Sequence, residues 1–251
     1  MKKDKILGYV FKFALLSFVI VILFLLISSI SRKFLSSQSN NTSLPVFSNN
    51  NKITYVIDAG HGGEDAGASA EDGTKEKDLN LKIAQLLRAL YILNGNDVKM
   101  TRESDTLLYD HYNDLNDYTG KKKVYDLKNR VKITQECETP IYIGIHMNKF
   151  SQSKYSGTQI YYSKNDTSSA VLAKNIQASI KKYLQPSNNR MIKRADSSIY
   201  VLDNLSCPAI LIECGFLSNP DETELLKNGE YQGKLALTIF VASFAQNTFD
   251  N

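Results

Sequence analysis

The sequence contains the stretch Tyr55-Val56-Ile57-Asp58-Ala59-Gly60-His61-Gly62-Gly63, in which an apolar run stops at a histidine set between glycines. The β-branched, apolar first half predicts a buried β-strand. The glycines allow a sharp turn and the close approach of a ligand or a metal. We therefore interpret His61 as a side chain held at a strand end, where it can point into a cleft.

Two other interpretations of this stretch remain open at this point. A single histidine in a glycine-rich turn is more often an ordinary loop residue than a metal ligand. A glycine-rich loop after a strand is also typical of phosphate binding, but neither a Lys-Ser/Thr pair nor a Gly-x-Gly-x-x-Gly spacing follows here. A zinc site requires that further ligands meet His61 in the fold.

Composition limits the class of protein. The 251 residues are enough for one α/β domain with a substantial core. Six basic residues and one acidic residue fall within residues 1–33, so the remainder of the chain carries a net charge of −1 out of a total of +4. A nearly neutral domain does not indicate a nucleic-acid surface. Cys137, Cys207 and Cys214 show no Cys-x-x-Cys spacing, which argues against a disulfide framework and a cysteine-rich zinc site; a Cys207–Cys214 bridge stays open.

The N-terminal part predicts a membrane anchor. Residues 13–30 are apolar and free of charge, and with their flank they reach the ~20 residues that span a bilayer. Residues 1–12 are basic and are expected to stay in the cytoplasm. A cleaved signal peptide is the alternative, but no clear Ala-x-Ala site follows the run, so an uncleaved anchor is favoured. The Ser- and Asn-rich residues 31–51 predict a flexible linker, and residues 52–247 form the predicted folded domain.

Apolar periodicity predicts alternating strands and helices in that domain. A helix that starts at Glu76 and stops near Gly95, with a stripe of Leu79, Ile83, Leu86, Leu87 and Leu90, separates the first strand from a second at residues 97–101. This βαβ opening predicts a single α/β domain with a mainly parallel or mixed twisted sheet flanked by helices. Further strands are predicted at 140–145, 157–162, 198–202 and 207–216, and helices at 126–138, 168–184, from Pro220 after an Asn219 cap, and at 231–246.

The segment 103–125 is long, polar and rich in tyrosine. A loop of this length is either a lid or partner site, or a solvated surface excursion, and the two interpretations are equally supported. His111 within it is expected on the surface.

Three buried strands end in chemically useful side chains, His61, His146 and Glu213. Ligands of open α/β sheets gather beyond the strand ends, and two imidazoles with one carboxylate are a usual ligand set for catalytic zinc. Zinc makes water a nucleophile at neutral pH, and a carboxylate near the metal then serves as general base. We assign that role to Glu213, although a salt-bridged acid at a strand end is the simpler interpretation of this residue taken alone.

Six ordered blocks carry a family resemblance. They are Asp58-Ala59-Gly60-His61-Gly62-Gly63, Glu76-Lys77, Thr101-Arg102, Gly144-Ile145-His146-Met147-Asn148, Gly157-Thr158-Gln159-Ile160-Tyr161-Tyr162 and Glu213-Cys214-Gly215-Phe216-Leu217-Ser218-Asn219. Over about residues 53–245 the chain resembles the zinc-dependent N-acetylmuramoyl-L-alanine amidases of the Amidase_3 family. The resemblance implies that His61, Glu76 and His146 bind Zn²⁺ and that Glu213 is catalytic. Ala59 and Met147 replace the family's usual Pro and Ala, and Met147 is expected beside the metal, where it would alter substrate fit.

The resemblance implies hydrolysis of the amide between N-acetylmuramic acid and L-alanine in peptidoglycan. The anchor and the excursion after Arg102 are similar to spore-cortex amidases of the CwlD type, which implies peptide removal before muramic-lactam formation, on the outer side of a membrane such as the forespore intermembrane space. Some family members carry an inhibitory helix; none is visible between His146 and Glu213. Control is therefore expected from location, expression or a protein activator. The rival hypotheses are a non-catalytic peptidoglycan-binding module, another zinc hydrolase such as a peptidase or deacetylase, and a structural membrane protein.

Overall fold

The structure is a computed structural model that describes residues 53–245. Its strands are β1 (Thr54–Ala59), β2 (Asp97–Met100), β3 (Pro140–Asn148), β4 (Gln159–Tyr162), β5 (Lys193–Arg194) and β6 (Ala209–Phe216). Its helices are α1 (Glu76–Leu93), α2 (Lys122–Gln135), α3 (Ser168–Tyr183), α4 (Tyr200–Asn204), α5 (Pro220–Lys227) and α6 (Gly229–Ser243).

The strands form one six-stranded sheet in the order β2-β1-β3-β6-β4-β5. Strands β2, β1, β3 and β6 are mutually parallel, whereas β4 runs antiparallel to β6 and parallel to β5. The prediction of an α/β domain with a mainly parallel or mixed sheet flanked by helices is therefore confirmed. Because β4 is reversed, its first residues lie at the edge where β1, β3 and β6 end.

Each face of the sheet is covered by helices. The larger core lies between the sheet and α1, α3 and α6, and contains Ile57, Ile143 and Ile212 among others. The smaller core lies under α2 and α4. Since side chains alternate along a strand, Ile143, Ile145 and Met147 of β3 enter the larger core, and Tyr142 and His146 face the other way.

The first helix largely follows its predicted pattern. Leu79, Ile83 and Leu87 are buried, and Leu90 is partly buried against the same core. Leu86 is 39% exposed, so its inclusion in the buried stripe is wrong. Gly95 has φ 79° and its N–H bonds to the Ile92 carbonyl, which confirms the predicted stop.

Several element boundaries differ from the predictions. The predicted strand 198–202 is wrong, because Tyr200–Asn204 is a short helix whose Val201 and Leu202 pack into the smaller core. Helix α2 begins at Lys122 and not at 126, which shortens the preceding loop. The last helix begins at Gly229, capped by Asn228, and ends at Ser243. The Asn219 cap and Pro220 start of α5 are confirmed, with the Asn219 side chain accepting from two backbone N–H groups.

The loop before α2 packs back onto the domain. Asp126 accepts a hydrogen bond from the Leu108 N–H, and Asn129 donates to the Leu108 carbonyl. Leu108 itself is buried, and His111 is exposed as predicted. The two functional interpretations of the loop remain predictions.

Within the part of the chain that the structure describes, no helix combines the length and apolarity needed to cross a bilayer. The predicted segments 1–12, 13–30 and 31–51 lie outside the described residues, as do the two ends of the predicted domain. All three cysteines are free, so Cys207 and Cys214 are not paired.

Candidate metal centre

His61, Glu76 and His146 meet at one end of the sheet. The Glu76 Oε1 atom lies 3.2 Å from His61 Nε2 and 3.0 Å from His146 Nδ1. One donor atom from each of the three residues lies within 4.8 Å of the others. The structure thus brings together residues that are distant in the sequence, as the ligand prediction requires.

His61 is held in an unusual backbone conformation. Its φ of 61° lies in the left-handed region, which few non-glycine residues adopt. Such conformations persist where the surroundings enforce them, often at functional sites. Asp65 Oδ2 lies 2.9 Å from His61 Nδ1 and leaves Nε2 directed at Glu76. Burial lowers the pKa of His61, but the hydrogen bonds with Asp65 and Glu76 raise it to about 9.

Glu76 is buried at the first position of α1, where the helix dipole favours a carboxylate. Its Oε2 accepts a hydrogen bond from the Ala68 N–H, and its Oε1 accepts one from the Met147 N–H. Burial raises the pKa of this carboxyl, but the hydrogen bonds with His146 and His61 outweigh that effect and lower the pKa. The carboxylate is therefore ionised and directed at both imidazoles.

Two glycines make room for this cluster. A Cβ on Gly60 would lie 2.2 Å from His146 Cε1, and a Cβ on Gly67 would lie 2.5 Å from Glu76 Oε2. Gly67 also has φ 66°, which favours glycine in any case. These positions need glycine because the side chains of His146 and Glu76 occupy the space beside them.

Glu213 lies on the neighbouring strand, paired in register with His146. Its Oε2 atom is buried and has no hydrogen-bond partner among residues 53–245. Burial raises the pKa of this carboxyl to about 7, against the smaller opposing effect of His146. A buried carboxylate oxygen without a partner is costly, and such a group in a cleft is typical of a catalytic acid or base.

A buried polar network lies beneath the cluster. Asp58 pairs with Arg130 and accepts hydrogen bonds from Thr101 and from the Tyr142 hydroxyl at 2.6 Å. Arg130 also donates to the His61 carbonyl at 2.8 Å. Neither Asp58 nor Arg130 is more than 2% exposed.

A second buried arginine holds the same turn. Arg102 donates from Nε to the Ala59 carbonyl and from Nη2 to the carbonyls of Gly60 and Lys77. Thr101-Arg102 is one of the six blocks, but neither its role nor Arg130 was predicted from the sequence. The signal available for Arg130 was its i, i+4 spacing from Asp126 on one face of a helix.

The cluster opens into a cavity of about 260 Å³. His61, His146 and Glu213 line it, together with Lys123 of α2 and Tyr200 of α4. The segment between His146 and Glu213 thus contributes a wall to the cavity, and the absence of an inhibitory insertion remains a prediction.

The residues present fit a zinc ion. Two imidazoles and one carboxylate are borderline donors of the kind that catalytic zinc takes, and the three donor atoms already converge. Met147 does not line the cavity; its side chain is buried in the larger core, on the opposite face of β3. The expectation that Met147 alters substrate fit is therefore wrong, because only its backbone N–H reaches the cluster.

Comparison with known families places this geometry in context. Residues 56–242 match the Amidase_3 family model, described as N-acetylmuramoyl-L-alanine amidase. The chain belongs to the Amidase_3 family. The predicted family and activity are thereby confirmed: the chain is an N-acetylmuramoyl-L-alanine amidase, a hydrolase of peptidoglycan.

Individual relatives agree with this assignment. The germination-specific N-acetylmuramoyl-L-alanine amidase of Bacillus subtilis is 40% identical over 191 residues, which cover 75% of this amidase and 77% of the relative. The CwlD amidase of Clostridioides difficile, solved in complex with the GerS lipoprotein, is 43% identical with a TM-score of 0.69 and covers 75% of this chain and 95% of that one. The amidase AmiC2 of Nostoc punctiforme is 26% identical with a TM-score of 0.62, over 76% and 94% of the two chains.

Proposed function

We propose that this amidase is zinc-dependent, with His61, Glu76 and His146 as the metal ligands and Glu213 as the general base. The observation that carries the proposal is the convergence of the three donor atoms beside Glu213, whose buried Oε2 has no hydrogen-bond partner among the described residues. Zinc, when bound, polarises a carbonyl and makes water nucleophilic at neutral pH.

The chain's own residues supply the remaining steps. Asp65 holds the His61 ring with Nε2 toward the cluster, and the Ala68 and Met147 N–H groups hold the Glu76 carboxylate. Glu213, in its ionised form, accepts a proton from the attacking water and passes it to the departing L-alanine nitrogen. Burial raises the pKa of Glu213 to about 7, so this carboxyl can both accept and release a proton at neutral pH.

Metal analysis of histidine variants tests the ligand assignment. His61→Ala and His146→Ala are expected to lose zinc, because affinity needs the full ligand set. His111→Ala is the matched control, since this exposed histidine lies outside the cluster and its variant should keep zinc near one ion per chain. Equal zinc content in all three variants would reject the assignment.

The role of Glu213 needs a second measurement. Glu213→Gln should keep zinc and lose at least about 100-fold in turnover, the usual scale of general acid–base catalysis. Newly freed L-alanine amino termini in peptidoglycan are labelled and counted. Glu230→Gln, on the exposed face of α6, is the control. A zinc-free Glu213→Gln protein would mean that Glu213 is a ligand or a structural support.

We further propose a role in spore-cortex maturation, in which peptides are removed from muramic acid before muramic lactam forms. The similarity to the germination-specific and CwlD amidases supports this role. Expression in a Bacillus subtilis strain that lacks its germination-specific amidase should restore muramic lactam to the cortex, and Glu213→Gln should not. Cell-wall turnover without restored lactam would instead favour a general autolysin.

The proposed location is the outer side of a membrane, with residues 13–30 as an uncleaved anchor. Their apolar composition supports this location. The expected result is a full-length chain in the membrane fraction that resists extraction at high pH. A shortened, freely soluble chain would identify a cleaved signal peptide.

A protein activator is also proposed, and an extracytoplasmic lipoprotein is the favoured class because the CwlD relative was solved with one. Turnover by the zinc-loaded chain should rise when lipoproteins from sporulating cells are added. Unchanged turnover, with full activity of the chain alone, would contradict this part of the proposal.

A further inference from the structure

A second cavity, of about 270 Å³, lies beside the metal centre on the β4 side of Glu213. Aromatic side chains form much of its wall, and its two charged residues are both basic. The lining residues are Asn148, Phe150, Tyr155, Gln159, Tyr161, Arg190, Lys193 and Phe216. A cavity with two cations and no carboxylate in its wall is suited to an anionic ligand.

The two cations are available for a ligand. Arg190 stacks on Phe216, with its guanidinium carbon 4.4 Å from the ring centroid, and its Nε donates to the Ser156 carbonyl at 2.7 Å. Within residues 53–245, neither Arg190 nor Lys193 forms a salt bridge with an acid. Arg190 is therefore fixed in place by groups that leave its two terminal nitrogens for a carboxylate, which guanidinium binds in a bidentate manner.

The sheet register places this cavity next to the reaction centre. Gln159 is the cross-strand neighbour of Glu213, and Tyr161, two residues further along β4, pairs with Lys193 of β5. Adjacent strands are ~4.8 Å apart, so the cavity begins about one strand spacing from Glu213. Burial and the charge of Glu213 raise the pKa of Tyr161, and the charge of Arg190 lowers it, as expected for a hydroxyl near both groups.

The charge distribution of the substrate decides which part fits here. The glycan side of the scissile amide is uncharged, whereas the stem peptide carries carboxylates. Its second residue is a γ-linked D-glutamate, whose α-carboxyl group is either free or amidated. Two residues of extended chain span at most about 7 Å, so this carboxylate lies within reach of the cavity when the amide is at Glu213.

The cavity at the metal centre is less suited to binding this carboxylate. Lys123 on its wall lies 3.6 Å from Asp65 and is thus already opposite an acid. We propose that Arg190 and Lys193 bind the free α-carboxylate of the second stem residue, and that this amidase therefore prefers stems in which that carboxyl is not amidated. The proposal rests on the proposed catalytic role of Glu213. It adds that the stem peptide lies on the β4 side of Glu213.

Product-peptide inhibition tests the subsite. A synthetic stem tripeptide with a free L-alanine amino terminus, and its analogue with the second-residue α-carboxyl amidated, are compared as inhibitors of peptidoglycan hydrolysis by the zinc-loaded, full-length chain. The acid form should inhibit about tenfold more strongly, because hydrogen bonds between charged groups are stronger than neutral ones. Arg190→Gln should remove this difference and raise KM for non-amidated peptidoglycan, with kcat little changed.

Two further variants keep the test decisive. Lys193→Gln removes the second charge, and the Lys193 side chain forms no hydrogen bond or ion pair with residues 53–245. This variant should reduce the preference severalfold even if Arg190→Gln folds poorly. Arg88→Gln, a partly exposed charge on α1 with a 3.9 Å contact to Glu103, should leave the preference intact. Equal inhibition by both peptides of the unaltered enzyme, or no inhibition by either, would overturn the proposal. The turnover of Glu213→Gln tests the catalytic assignment separately. Loss of turnover in this variant supports the role of Glu213 whatever the two peptides show.

Discussion

At the scale of single residues, the chemistry depends on side chains that orient other side chains. Asp65 illustrates this point, because it contacts no other member of the cluster yet determines which nitrogen of His61 faces Glu76. Carboxylates behind metal-binding histidines typically contribute 10–100-fold to metal affinity.

Asp65→Asn is accordingly predicted to weaken zinc binding by about 10–100-fold and to leave the fold intact. The amide keeps an oxygen for the Gly67 N–H but no longer carries the charge opposite His61. Competition with a chelator measures the affinity. Glu64→Gln removes a neighbouring, exposed charge and should not change it.

Gly67 and Gly73 allow a variant and its control to be compared at similar backbone conformations. Both have positive φ, but a Cβ would strike Glu76 only at Gly67 and would meet nothing within 4 Å at Gly73. Each Gly→Ala change should cost ~1 kcal/mol of stability through backbone strain. Only Gly67→Ala should also lose zinc, as measured by metal analysis, and zinc loss in both variants would contradict the steric argument.

The sequence predicted these residues unevenly. Each of the four lies in a recognisable block: Glu76 opens α1, His61 follows β1, and His146 and Glu213 lie two and three residues before the ends of β3 and β6. Their proximity followed from parallel strands that share one edge. Asp65 and Arg130 act through contacts made across turns and between elements, and their residue types are ordinary for a loop and a helix.

At the scale of elements, the end of β1 is held by buried arginines and not by strand pairing alone. Arg102 and Arg130 together donate to the carbonyls of Ala59, Gly60 and His61, where the strand turns, and Asn80 also donates to the Gly60 carbonyl. Buried carbonyl groups without partners are costly, so the two side chains stabilise the turn that carries His61.

Arg130→Met is predicted to reduce the free energy of unfolding by about 3–5 kcal/mol, because Asp58 would remain buried without its partner. Urea denaturation measures the change. Combining Arg130→Met with Asp58→Asn should cost less than the sum of the two single changes. Arg88→Met, at a partly exposed position outside this network, is the control, and a similar loss of stability there would refute the network as the cause.

The short helix α4 shows where element prediction fails. The alternation of Ile199 and Val201 favours a strand. The packing of Val201, Leu202 and Leu205 under α2 cannot be predicted from this local pattern. Tertiary contacts decide between helix and strand in so short a segment. The two-residue strand β5 lacked any periodic signal at all.

At the scale of the whole molecule, a fully buried ion pair, Asp58 with Arg130, links the end of β1 to α2. Burial raises the pKa of Asp58, but Arg130 and the hydrogen bonds from Thr101 and Tyr142 outweigh that effect and lower it. A carboxyl with a depressed folded-state pKa stabilises the protein above its unfolded pKa of ~3.9, and this contribution is lost as pH falls through the folded value.

The stability difference between the wild type and Asp58→Asn should therefore be constant above about pH 5 and shrink below about pH 4. Unfolding free energies at several pH values measure it. A difference that stays the same down to pH 3 would mean that Asp58 is not the titrating group. Glu71→Gln, at an exposed site that forms no ion pair among residues 53–245, is expected to show no comparable trend.

The α/β class was predictable because the βαβ opening and the apolar strands are local patterns. The antiparallel direction of β4 was not predictable, because the residue pattern of 157–162 is equally compatible with a parallel and an antiparallel strand. Pairing with β6 set that direction, and it brought Gln159 and Tyr161 to the reaction edge.

The strand order also has a consequence for a chain that is made from its N-terminus. The three proposed ligands are all present once residue 146 has emerged, but β6, which separates β3 from β4, comes much later. A growing chain therefore has its metal-binding residues well before Glu213 arrives between two strands that already exist. The proposed general base is therefore made later than all three proposed ligands, when synthesis of the domain is nearly complete.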